Sequence, residues 1–452
     1  MTKASSLAAA TPLSRDRYID LLRVASLGVV VVGHWLMAVV LVGHDGSVTA
    51  TNALALIPSL QPLTWLLQVM PVFFFVGGFS HATALTSIQR RGGTYADFVR
   101  SRAGRLLRPT AVFVAVWLAA ALIIEVSGHD RGVLRLATRA VAQPLWFVGV
   151  YLGVIALAPA MLRLHRSLDR WGFLVPVTLA AGAGAVDLAR FEGGIPHVAY
   201  LNVALVWLAV HQLGFLYADG SLLRGGRRVA VALACAGLVA TIALTTLGPY
   251  PTSMVGMPGE RVSNMSPPTL ALLAHAIWLI GLVLLLRAPL SRWLRRASVW
   301  TVVIAANGMV MTAFLWHLTA MFAASALTVA YGVTQPAVGS AAWWLLRPVW
   351  LAVLALFTAG LVFAFRRADR PRETRVPDPD RPTAPGHRMS AAAVGMVLCV
   401  LGVLGLSAVG FGGLLAGRTA TLVVLPVTPL MSVAALAVGA VLLGTTRPTA
   451  SI

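Results

Sequence analysis

A helix that crosses a bilayer needs about 20 consecutive apolar residues, and this chain supplies that length repeatedly. Apolar runs fall near 19–43, 60–84, 109–127, 144–162, 172–188, 198–217, 229–248, 268–286, 301–331, 341–365, 391–415 and 420–444. The ninth run is longer than a bilayer requires, so a tilted or extended helix is expected there. Composition agrees. Hydrophobic residues make up 58% of the 452 and charged residues 11%, against about 25% charged in a soluble domain. A chain this apolar cannot hide its side chains in one water-soluble core. The expected fold is all-α: a polytopic membrane helical bundle with a core of about ten spans plus two C-terminal spans. The expected divisions are a cytoplasmic N-terminal segment, 1–17; a membrane domain, 18–365; a cytoplasmic linker, 366–390; and a C-terminal hairpin, 391–452. The linker mixes proline and charge without apolar periodicity, as disordered segments do.

The formal net charge is +20. That balance does not point to nucleic acid, because the arginines sit in short segments between apolar runs. With the N-terminus inside, the inner segments hold Lys3, Arg15 and Arg17, then the group from Arg90 to Arg108, and most later arginines. The outer loops hold only Arg131, Arg135, Arg139, Arg190, Arg261 and Arg418. The positive-inside rule then places both termini in the cytoplasm. Lys3 is the only lysine, a bias that suggests a GC-rich bacterial genome and a bacterial plasma membrane. Cys235 and Cys399 lie in separate apolar runs and make neither a disulfide framework nor a metal cluster. No Walker loop, dinucleotide fingerprint, G-x-S-x-G or H-E-x-x-H is present. No resident cofactor and no metal are expected.

Ionisable groups inside apolar spans are costly, about 2.5–3.5 kcal/mol each on insertion scales, and they carry the candidate chemistry. The first span reads RYIDLLRVASLGVVVVGHWLMAVV. Asp20 and Arg23 are three residues apart and share a helix face. His34 lies eleven residues beyond Arg23, nearly on the same face and about 16 Å further along. The pair either lines a groove or is a snorkelling arginine and a histidine bonded to a neighbouring helix. In the second span Gly77 and Gly78 permit close backbone approach. Arg100, Arg102, Arg105 and Arg108 follow in a loop before Pro109, which opens the third span. Guanidinium forks suit phosphates, and the same charges also serve as a topology signal touching anionic lipid. His317, His211, Gln212, His275, Asp187 and Glu125 are weaker candidates. The outer loop at 263–268 reads as a rigid cap.

These residues resemble the acyltransferase-3 family of bacterial membrane enzymes. The shared pattern is the cytoplasmic D-x-x-R with a histidine eleven residues on (Asp20, Arg23, His34), the aromatic-rich MPVFFFVGGF at 70–79, the arginine cluster Arg100-Ser-Arg102 with Arg105, and the late Trp316-His317. It covers residues 15–365. The resemblance implies a membrane O-acyltransferase that moves an acyl group, usually from acyl-CoA, to a hydroxyl of a glycan, glycolipid or metabolite. It implies His34 as the catalytic residue, Arg23, Arg100, Arg102 and Arg105 as donor-binding, and Asp20, His317 and Asp187 as supporting.

The physics of such a site is coherent. The arginine cluster would clamp the donor phosphates, and the acyl arm would thread into the bundle past Arg23. His34 would act as general base on the acceptor hydroxyl or carry the acyl group transiently. The alternative is a proton-coupled secondary transporter or lipid/glycolipid flippase using the same histidines. Transporters often pair broken helices in two halves, and no such pairing is visible.

Overall fold

Nearly every apolar run becomes a helix because lipid leaves the backbone no other partner than itself. In the computed structural model, residues 6, 10–12, 15–42, 48–128, 132–257, 259–333, 335–367 and 387–445 are described. Their main helices are α1 (Arg17–Met37), α2 (Met70–Arg90), α3 (Tyr95–Val126), α4 (Leu145–Ser167), α5 (Leu174–Phe191), α6 (Leu201–Ala218), α7 (Gly226–Leu247), α8 (Leu270–Trp293), α9 (Ala297–Asn307), α10 (Val310–Ala330), α11 (Ala341–Phe365), α12 (His387–Val409) and α13 (Pro429–Thr445). Eleven helical stretches among the described residues are long and apolar enough to cross a membrane. The protein is an all-α, multi-pass membrane bundle. Most of the expected linker, 368–386, lies outside the described residues.

Four boundaries differ from the sequence reading, each for a local reason. The first run was expected to be helical to 43. Instead α1 stops at Met37, and Ala38–Val42 forms β1, paired with β2 (Val48–Asn52). An apolar, β-branched run carries no periodicity that separates strand from helix. The second run is broken before α2. A 3-10 turn (Pro58–Leu63) and a single helical turn (Thr64–Leu67) precede it. Gln68 sits in the break, donating from Nε2 to the Met254 carbonyl (3.1 Å) and accepting from Met70 N (3.3 Å). The ninth run is two helices, α9 and α10, because Asn307-Gly308 is a helix stop and the Asn307 amide turns away to Asp20. The fourth difference concerns Pro109. It does not open a span but lies inside α3. The helix starts fourteen residues earlier, at a capping box in which Thr94 Oγ1 and the Asp97 side chain serve each other's backbone N–H groups. Proline removes one N–H from the ladder, and nearby hydroxyls help a membrane helix tolerate that loss. Thr110 Oγ1 donates to the Leu106 carbonyl at 2.7 Å.

The chain divides into two compact units. The first comprises residues 1–37, 52–83 and 160–310; the second comprises 38–51, 84–159 and 311–452. In the first, glycines set the helix spacing. A Cβ on Gly78 of α2 would lie 2.0 Å from the His211 carbonyl oxygen of α6, and one on Gly214 of α6 would lie 2.2 Å from the Phe75 carbonyl oxygen. Gly237 and Gly281 do the same for α7 and α8. Such small residues are how helices approach closely without a hydrophobic driving force.

In the second unit α12 and α13 meet through Gly402 and Gly439. The C-terminal hairpin is packed against α3. Phe411 is fully buried beside Phe113 and Trp117 (ring centroids 5.8 and 6.3 Å), and the Glu125 carboxylate accepts from Leu415 N and Ala416 N.

Candidate active site

The start of α1 is tied down by carboxylates. Asp16 caps the helix, with Oδ1 accepting from Tyr18 N and Ile19 N (3.0 and 3.3 Å). Its Oδ2 accepts from the Tyr217 hydroxyl, which in turn accepts from Arg287 Nε (2.9 and 2.8 Å). Asp20 is 5% exposed and collects three donors: Arg15 Nε at 2.6 Å, and Arg23 and Asn307 Nδ2 each at 3.1 Å. The second amino group of Arg23 donates to Ser80 Oγ of α2 at 2.7 Å. Arg23 is thereby held between a carboxylate one turn below it and a hydroxyl on the next helix. The D-x-x-R motif is a fixed guanidinium, not a snorkelling one.

His34 sits in the last turn of α1, half-buried, on the stripe that Asp20, Leu27 and Val31 begin. Arg23 and His34 therefore do share a face. The break at Met37 places His34 at the end of the helix rather than in the middle of a longer span.

The arginine cluster is helical, not a loop. Arg100, Arg102, Arg105 and Arg108 occupy the early turns of α3, and Arg102, Arg105 and Arg108 form an i, i+3, i+6 stripe. Arg105 is exposed, while the Nε atoms of Arg100 and Arg102 are buried. Arg100 donates to Asp97 at 3.2 Å. From residue 90 to 110 the chain holds six arginines and one acid, Asp97. Cations near a helix N-terminus do not stabilise it, so this concentration needs a reason outside the helix. Thirty-two residues at ~1.5 Å each make α3 about 48 Å long, well beyond the ~30 Å of a hydrocarbon core. The arginines lie on the polar third of that rod, before Pro109.

The other expected residues divide. Asp187 of α5 is a structural staple: it accepts from Asn202 Nδ2 of α6 (2.8 Å), the Tyr250 hydroxyl (3.1 Å) and Leu270 N at the start of α8 (2.8 Å). Those partners do not include Asp20 or Arg23. His317 of α10 is fully buried, with Nδ1 at 2.5 Å from the Phe314 carbonyl of its own helix. Its neighbour Trp316 stacks on Phe365 at 4.0 Å. His275 donates from Nε2 to the Trp65 carbonyl at 2.7 Å and caps the broken turn before α2.

Sequence reasoning named His211 but missed its partner His81 and several other groups. His81 of α2 pairs with His211 of α6, Nδ1 to Nε2 at 3.0 Å, with both rings buried. His165 Nε2 meets Asp219 Oδ2 at 2.9 Å. Burial pushes the Asp219 carboxyl up, but the bonds from His165 and Ser221 outweigh that and hold it below the usual carboxylate range. Arg347 of α11 is 9% exposed, with its guanidinium 3.6 Å from the Trp343 ring centroid. Its signal was in plain view, a lone arginine in WWLLRPVW. Among the described residues no three His, Cys, Asp or Glu side chains are placed to hold a metal ion.

The geometry agrees with what comparison shows. Residues 16–367 match the family model described as an acyltransferase domain, and the chain belongs to the acyltransferase-3 family. It is a membrane O-acyltransferase acting on groups other than amino-acyl groups. No curated protein and no solved structure matches it.

Proposed function

We propose that this enzyme takes an acyl group from cytoplasmic acyl-CoA and places it on a hydroxyl of a glycan, glycolipid or related acceptor, working in a bacterial plasma membrane with both termini in the cytoplasm. The observation that carries the reading is the face of α1. It presents a guanidinium fixed by Asp20 and Ser80 and, about 16 Å further along, an imidazole at the helix end. One end of a single helix thus offers an anion contact and the other a base. The α3 arginines supply phosphate contacts for the anionic CoA moiety. The distribution of arginines between the two sides supports the orientation.

In this reading His34 accepts the proton of the acceptor hydroxyl as that oxygen attacks the thioester carbonyl. Asp20 keeps Arg23 oriented. Asp187 holds helices together, and His317 is a supporting residue of α10. The test is turnover of His34→Gln with acetyl-CoA binding measured in parallel. Glutamine keeps a hydrogen bond but cannot take a proton near neutral pH, so a loss of 10²–10⁴ in rate with binding intact is expected, on the order of a general base's contribution. Turnover near that of the wild type ends the catalytic assignment. Orientation is checked separately by Asp380→Cys in a chain lacking Cys235 and Cys399. Labelling by an impermeant reagent added outside intact cells would reverse it.

A further inference from the structure

Three buried histidines of the first unit, His81, His211 and His165, have no part in the scheme above, yet they are arranged beside α6. His81 and His211 are 2% and 0% exposed and share a hydrogen bond of 3.0 Å. Their contact exists because Gly78 and Gly214 let α2 and α6 meet backbone to backbone. One turn on, the Phe215 ring contacts both His211 (centroids 4.8 Å) and His165 (5.8 Å). His165 is 5% exposed, and its Nε2 meets Asp219, whose side chain is 40% exposed. From His211 to Asp219 is eight residues, about 12 Å along the helix. Exposure rises from His211 through His165 to Asp219.

Two further facts distinguish the series from ordinary packing. Imidazoles are expensive in a membrane interior, and a packed core has no need of two in contact. In addition, His211 Nδ1, Gln212 Oε1 and His165 Nδ1 are buried with no protein partner. Gln212 spans the gap, with Nε2 donating to the Met161 carbonyl one turn before His165. Polar atoms left over in this way are where buried water binds. A neutral imidazole donates at one nitrogen and accepts at the other, so it passes a proton on by exchanging tautomers. Ser80, which holds Arg23, is the residue next to His81.

We propose that His81, His211, His165 and Asp219, with water between His211 and His165, form a proton path from the bundle interior to the Asp219 end. The proposal rests on the acyl-CoA reading above. In that reaction the acceptor O–H bond breaks as its oxygen forms the ester C–O bond. The thioester C–S bond breaks, and its electron pair leaves on the CoA sulfur. The sulfur leaves as thiolate and is protonated from the cytoplasm, while the hydroxyl proton must leave the bundle, and the histidine series carries it to the Asp219 end.

The test uses the full-length protein in liposomes, acetyl-CoA as donor and an envelope glycolipid extract of the source cell as acceptor. Release of the CoA thiol is the readout. His211→Ala and His165→Asn are expected to lower kcat by about 10²-fold with KM for acetyl-CoA unchanged and with a larger solvent deuterium isotope effect. Imidazole is expected to restore turnover of His211→Ala, while 1-methylimidazole, which keeps the basic nitrogen but has no N–H to give up, is not. Equal rescue by both, or full kcat in His165→Asn, overturns the path. A wild-type protein that releases no thiol overturns the acyl-CoA reading itself, and the path with it.

Discussion

The two arginine-bearing regions, the foot of α1 and the polar third of α3, differ in one respect that matters. On α1, Arg15 and Arg23 converge on a nearly buried Asp20, and Asn307 and Ser80 complete the set. Between residues 90 and 110, six arginines, four of them on α3, accompany a single acid, Asp97, which is itself part of a helix cap. Both motifs read as clusters of positive charge in the sequence. The first is a network built round one buried carboxylate, and the second holds more arginines than acids along its sequence. A closed network positions, and a surplus attracts. On the proposed function, the first cluster orients and the second binds the anionic donor.

The comparison can be broken at either end. The largest effect is expected on α1. Asp20→Asn leaves two guanidiniums without their shared carboxylate, and stability should fall by about 3 kcal/mol, the scale for breaking a buried pair. Thermal unfolding in detergent measures it, and an unchanged midpoint would mean that the network is not closed. A middle effect is expected on α3. On the proposed function, Arg102→Ala with Arg105→Ala removes charged hydrogen bonds to the donor, each worth about 1.5–3 kcal/mol. The apparent KM for acetyl-CoA should rise at least tenfold with the melting point held. If instead the double variant melts early at unchanged KM, the surplus is structural. The smallest effect is that of Asp97→Asn. Its partly exposed pair with Arg100 is worth under about 1 kcal/mol, so stability barely moves. Removing the only acid should lower KM slightly, and a rise would show that Asp97 orients Arg100 for the donor.

What could be read from sequence follows the range of the interaction. Asp20, Arg23 and His34 were legible because i, i+3 and i+11 relations are local consequences of 3.6 residues per turn. Ser80, Asn307 and the His81–His211 pair were not, because nothing in a single chain ties Arg23 to a hydroxyl 57 residues away or His81 to a ring 130 residues away. Gly78 was legible as a contact residue, though not what it brings together. Helix ends failed where composition is uniform. The run at 301–331 stays apolar through its break, and only Asn307-Gly308 marked it. Pro109 has the look of a helix start and so puts the arginine cluster in a loop, whereas the true start is encoded by Thr94 and Asp97, the capping box.

The length of α3 has a consequence for how the enzyme would behave in different membranes. A rod about 18 Å longer than the hydrocarbon layer sets its arginines among lipid headgroups, where anionic lipid is itself a dense supply of phosphate. On the proposed function, donor and bilayer then draw on the same guanidiniums. Apparent affinity becomes a joint property of protein and surface: it weakens as the fraction of anionic lipid rises, and in neutral vesicles it weakens with ionic strength instead. Assays in detergent, where that competitor is diluted away, would overstate how tightly the enzyme holds its donor in a cell.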